Sequence, residues 1–149
     1  GRATGQVEGA DSVVTTFLRD LAAASRPAPT RPASVLLLAW DQPPMVLGSG
    51  SYLSELVERA GGRNAFADLP ASSGTVSLEA IAERNPDFIL TSADGPPAVA
   101  QRPEWRVVPA VREGRFLHVK GSEFSRPTPR APAAIRQLAA TLDRLPDTP

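Results

Sequence analysis

The residues Val35-Leu36-Leu37-Leu38-Ala39-Trp40 form the longest unbroken apolar stretch in the chain. Side chains along a strand alternate between faces, so a stretch with no polar member must be covered on both sides. That is the habit of a parallel sheet packed between helices. Six residues are also far too few to cross a bilayer. Asp87 to Thr91, centred on Phe88-Ile89-Leu90, has the same character, and Arg115 to Val119 reads as a third strand after Gly114.

Helical spacing fills the intervals. Val14, Phe17, Leu18 and Leu21 repeat within Asp11 to Ala24, where Asp11 or Ser12 can cap the start. Leu53, Leu56, Val57 and Ala60 share a face of Ser51 to Ala60, which Gly61-Gly62 ends. Ser77 can cap Leu78 to Arg84, with Glu79 in the first turn where the helix dipole favours a carboxylate. A short helix is expected around Val108 to Glu113, where Trp105 packs, and a last one carries Ile135, Leu138, Ala139 and Leu142. Asn64 to Ala67 reads as a short strand, and Asp41 to Gly50 as a loop. The sixteen prolines cluster between these elements, and Arg26 to Pro32 reads as a stiff linker. Strands alternating with helices predict a three-layer, Rossmann-like α/β lobe with a mostly parallel sheet over residues 34–149, preceded by a helix and linker over 1–33.

Charge and composition narrow the chemistry. Sixteen basic residues balance sixteen acidic ones, leaving no field to gather nucleic acid. There is no cysteine, which removes disulfides, thiolate metal sites and cysteine nucleophiles. His118 is the single histidine, placed in a strand as a half-buried residue, so multi-histidine metal sites and a catalytic triad with a spare imidazole are excluded. Gly48-Ser49-Gly50 is only part of a dinucleotide fingerprint, with Leu53 where the third glycine belongs, and no cofactor is called for.

Ligands of such sheets lie beyond the carboxyl ends of the strands. The loops leaving those ends, 40–50, 92–97 and 120–130, are rich in Pro, Gly, aromatic and charged residues. Asp41 at a strand end is a general base, a phosphoacceptor or, as its Asp-x-Pro context favours, a turn former, and Asp94 in its Gly-Pro turn has the same readings. Arg126 and Arg130 flank Pro127-Thr128-Pro129 and are either a solvated pair or an anion contact.

Four segments, in order, carry a resemblance. Ala60-Gly61-Gly62-Arg63-Asn64-Ala65-Phe66-Ala67-Asp68 is followed by Val76-Ser77-Leu78-Glu79 with Asn85-Pro86-Asp87, then by Pro103-x-Trp105 with Pro109-Ala110-Val111, then by Pro129-x-Ala131. Together they resemble the solute-binding proteins of ABC importers built on a helical backbone, receptors for cobalamin, ferric siderophores, haem or metal. The resemblance implies that residues 1–33 are the end of an interlobe helix with its linker and that 34–149 are a C-terminal lobe. It implies a missing N-terminal lobe of the same protein, permease subunits as partners, and a periplasmic or extracytoplasmic place, with anchoring through the missing N-terminus.

By the same resemblance the docking carboxylate falls on Glu79 and the ligand-facing arginine on Arg126. The aromatic ligand wall falls on Ala39, Met45 and Ser73, and an acidic contact on Ser122, with Asp41 beside them. Trp40 and Phe124 are the nearby aromatics that can compensate. The expected function is ligand presentation to a permease, without catalysis. A stand-alone α/β interaction domain and a small α/β enzyme are the alternatives. Trp40, Pro43, Pro44, Met45 and Phe124 are expected to be exposed together on the lobe-facing side.

Overall fold

The computed structural model describes residues 7–91 and 96–143. Its helices are α1 (Val7–Ala24), α2 (Tyr52–Arg59), α3 (Leu78–Arg84), α4 (Pro109–Arg112) and α5 (Ala131–Asp143). Its strands are β1 (Ser34–Asp41), β2 (Pro44–Leu47), β3 (Arg63–Asn64), β4 (Ser73–Thr75), β5 (Phe88–Thr91) and β6 (Phe116–His118). Single 3-10 turns occupy Ala98–Gln101, Pro103–Val107 and Ser122–Phe124.

β1 is the sheet's central strand and its alternation defines three layers. Val35 and Leu37 join Phe88, Leu90, Leu117 and Val119 on the face covered by α1, α2 and α5. Leu36 joins Val46 and Ile89 on the other face, against Ile81, Val99, Trp105 and Val111. Burial of each such side chain stabilises the fold by about 1.5–3 kcal/mol. β1, β5 and β6 run parallel, with Leu36 opposite Ile89 and Leu90 opposite Leu117.

The far edge of β1 is shared. Its first half pairs in parallel with β3, and its second half turns into an antiparallel hairpin with β2, which pairs in turn with β4. The stretch 41–50, expected as a loop, therefore contains a strand, and the sheet is mixed at one side. α1 also begins earlier than its expected caps: Asp11 and Ser12 lie within the helix, and the Asp11 carbonyl accepts a hydrogen bond from the Thr15 hydroxyl. Among the described side chains of α1, Phe17, Leu21 and Ala24 are the apolar ones that reach the core, and Val13, Val14 and Leu18 are exposed.

The recognisable segments are bonding devices. Gly61 takes a left-handed turn (φ 88°) after α2, and a Cβ there would meet the Arg26 guanidinium at 2.7 Å. Arg26 itself bonds the Ala60 carbonyl and Asp143, tying the linker to α2 and α5. Asn64 is fully buried, donates to the Leu47 carbonyl and the Ser54 hydroxyl, and accepts from the Phe66 amide. Arg84 lies 4.2 Å over the Phe66 ring and grips Asp68 with two bonds of 2.7 and 2.8 Å. Asn85 closes α3 in the left-handed region (φ 43°), and the Asp87 carboxylate accepts from the Ser34 amide at 2.8 Å.

Candidate functional site

Where the parallel strands end, the loops stand apart and leave a concave face. A cavity of about 550 Å³ lies over Leu38, Ala39, Leu90 and Val119, walled by the start of α2 on one side and by Lys120, Gly121, Phe124 and Ser125 on the other. A smaller hollow of about 310 Å³ adjoins it, sharing Leu38, Ala39 and Leu90 and adding Trp40, Asp41, Thr91 and Pro97. The floor of both is apolar and the rims carry hydroxyls and charge, the composition of a small-molecule site.

The larger cavity is shaped by glycine. Ser49 donates from its backbone to the Leu69 carbonyl, and a Cβ at Gly48 would lie 2.3 Å from two carbonyl oxygens of this neighbouring loop. The pair Gly48 and Gly50 thus lets two loops cross closely, which is what the sequence uses it for. Ser51 then caps α2, its hydroxyl accepting from the Ser54 amide, and brings Tyr52 to the cavity wall. The Tyr52 hydroxyl is shielded from water, touches the Thr128 backbone only weakly, and forms no well-formed hydrogen bond among the described residues. Burial, with Glu55 nearby, raises its pKa above the ordinary phenol value.

The expected site residues do not share one environment. Trp40, Met45 and Ser73 stand on the concave side: Trp40 is 62% exposed, Met45 lies directly opposite it across the β1–β2 ladder, and Ser73 lines the larger cavity. Asp41 lies in the smaller hollow but is engaged, its carboxylate meeting the Arg102 Nε at 2.5 Å. Ser122 opens the 3-10 turn at the rim. Phe124 corrects the expected exposure but not the expected place: it is 5% exposed and packed between α2 and α5, because the turn after β6 folds it inward, and it still lines the larger cavity. His118 is exposed rather than half-buried, since Leu117 and Val119 take the inward side of β6. Asp94 falls outside the described residues.

Arg126 and Arg130 are exposed on the loop before α5, and neither side chain bonds any described residue. Glu79 is exposed on α3, held at the helix start by Ser77, whose hydroxyl accepts from the Ala80 amide at 3.1 Å. It forms no ion pair among the described residues. No group of three or more acidic or histidine residues is placed to hold a metal among the described residues. Tyr52 and Arg102 lie outside the three loops that the sequence indicates, and only the fold gathers them with Lys120, which opens the 120–130 loop without a motif of its own.

A family model described as periplasmic binding protein matches residues 1–122. The chain is 30% identical over 106 residues to a vitamin B12-binding protein of Vibrio cholerae, covering 68% of this chain and 37% of that protein. It is 30% identical over 157 residues to an uncharacterised ABC transporter substrate-binding lipoprotein of Bacillus subtilis, covering 99% of this chain and 48% of that one. A periplasmic haem-binding protein of Roseiflexus sp. RS-1 shares the fold, with a TM-score of 0.75 at 23% identity over 95% of this chain and 58% of that one. The chain spans less than half the length of these two curated relatives.

Proposed function

The chain belongs to the periplasmic binding protein family, and from that premise we propose that it supplies one ligand-facing lobe of a substrate-binding component of an ABC-type importer. The observation that carries the reading is the open concave face at the strand ends, with an exposed Trp40 standing on its rim. An exposed indole is costly to solubility unless something covers it, and a flat aromatic suits a large conjugated or macrocyclic ligand. Vitamin B12 and haem are named by the relatives, and the sequence resemblance adds ferric siderophores. Arg126 offers a guanidinium to ligand carboxylates, with Met45, Ser73, Ser122 and Asp41 completing the rim and Phe124 supporting it from below.

The rest of the protein, a second lobe, faces this surface and closes over the ligand, and the assembly works outside the cytoplasmic membrane. Glu79 is the docking carboxylate for permease arginines; such pairs set encounter and register rather than bulk affinity. The test is uptake in cells carrying the complete receptor. Glu79→Arg abolishes import while ligand affinity and melting temperature stay close to the parent. Undiminished uptake in that variant contradicts the docking role. Absence of binding to cyanocobalamin, haemin and a ferric siderophore by the complete receptor contradicts the ligand class.

A further inference from the structure

The exposed indole at the tip of the β1–β2 hairpin is not loose. The Trp40 Nε1–H donates to the backbone carbonyl of Gln42 at 3.0 Å, folding the ring back over its own turn. The next two residues are gripped from a different part of the chain: Arg102 directs Nε to the Asp41 carboxylate at 2.5 Å and Nη1 to the Gln42 side-chain oxygen at 2.7 Å. A register shift between Leu38 and Trp40 re-aims the strand just before this tip.

Arg102 is itself a fixed base. It is the single residue between two 3-10 turns, its amide donates to the Val99 carbonyl, and its carbonyl accepts from the Trp105 amide. Val99 and Trp105 are each 1% exposed, so the backbone that carries the guanidinium is anchored in the core. The Arg102 side chain is only 32% exposed and Asp41 17%, which limits screening of the pair. A planar fork that engages two different acceptors fixes direction as well as distance.

Exposed Trp40 contributes little to the core, so a buttress of this kind does little for stability through it. Its consequence is order. We infer that Arg102 is a positioning residue: through Asp41 and Gln42 it holds the Trp40 indole as a preformed rigid face of the smaller hollow, ready to stack on a planar ligand. Ordering the face in advance removes an entropy cost from binding. The significance for ligand rests on the proposed function; the clamp itself does not.

The experiment follows the two indole N–H signals of ¹⁵N-labelled protein, one from Trp40 and one from buried Trp105. In Arg102→Ala the Trp40 indole proton exchanges with water about tenfold faster, the scale of one weak hydrogen bond lost, and its heteronuclear relaxation shows new nanosecond motion, while Trp105 is unmoved. Arg102→Lys, which keeps a cation for Asp41 but lacks the second in-plane donor, recovers only part of the order. If Arg102→Ala does not fold, Asp41→Ala combined with Gln42→Ala removes both side-chain acceptors and leaves the arginine in place, with the same expected result. Unchanged exchange and relaxation at Trp40 in a folded variant overturn the inference. Addition of haemin or cyanocobalamin to the parent separates the two claims: a Trp40 signal that loosens in the variant yet ignores both compounds in the parent keeps the clamp and removes the ligand face.

Discussion

The two ends of the same sheet are built on opposite terms. At the amino ends of the parallel strands, Asn64, Asp87, Arg84 and Gly61 are each committed to named partners, and the polar groups there are buried or paired. At the carboxyl ends, Trp40, Met45, Ser73 and Arg126 are exposed around two hollows. One end commits nearly all its polar residues to holding the fold, while the other, apart from the Arg102 clamp on Asp41 and Gln42, leaves several exposed. On the proposed reading, the residues that meet a ligand are therefore not the ones that hold the fold.

The two tryptophans give the sharpest contrast. Trp105, 1% exposed and packed in the second core, should lose about 3–5 kcal/mol of stability on Trp105→Ala, measured by urea denaturation. Trp40→Ala should stay within about 0.5 kcal/mol of the parent, as substitutions on open surface do. A loss of similar size at both positions would erase the distinction between the two ends. Next in size is Asn64→Ala, which leaves the Leu47 carbonyl, the Ser54 hydroxyl and the Phe66 amide without their partner in a buried setting. The expected cost is about 1–3 kcal/mol, against no measurable cost for Ser73→Ala at the other end.

Much of this division is written in the sequence, though unevenly. β1 and β5 are legible because both of their faces are covered, so their apolar runs are continuous. The Gly61, Asn64, Asp68 and Asp87 positions are legible because each does one job that few residue types can do. β2 and β4 are not legible, because they lie at the sheet's edge with one buried apolar side chain, Val46, between them, and so show no alternation. Prolines at 43 and 44 hide the hairpin further, yet Pro44 serves it: its carbonyl accepts from the Val76 amide, and its missing N–H is no loss at that position. Phe124 misleads in its exposure for another reason. It lines the larger cavity, as its position after a strand end suggests, but how deeply the turn folds it in depends on the space between α2 and α5, which no local pattern encodes. Arg102 acts across 61 residues to reach Asp41, a distance beyond any spacing argument.

A smaller effect is expected from pH at the bonded end. The Arg84 guanidinium, hydrogen-bonded to Asp68, holds that carboxyl below its ordinary value. The unfolded carboxyl titrates near 3.9, roughly the model-peptide value, so the pair's contribution is full above that pH and disappears as pH falls through the lower folded value. Asp68→Asn should lower stability slightly at neutral pH, the pair being solvent-exposed, and leave it unchanged below the folded value, so that the acid limb of the stability curve flattens. A small effect is expected for Glu79→Arg, whose melting temperature should stay close to the parent: Glu79 forms no ion pair among the described residues and loses only its first-turn dipole interaction, about 0.3–1 kcal/mol. A marked loss of stability there would return Glu79 to a structural role.

The central claim, that the carboxyl-end face takes the ligand, is tested most directly by mapping amide shifts of this chain as cyanocobalamin, haemin and a ferric siderophore are added in turn. A single lobe holds only part of a ligand's surface, so weak, fast-exchange binding is the expected regime. The account predicts that at least one compound shifts signals confined to residues 39–45, 72–73 and 119–126, with the Trp40 indole among the largest. Shifts centred instead on Asn64, Arg84 and Asp87, or none from any of the three at millimolar excess, would contradict it.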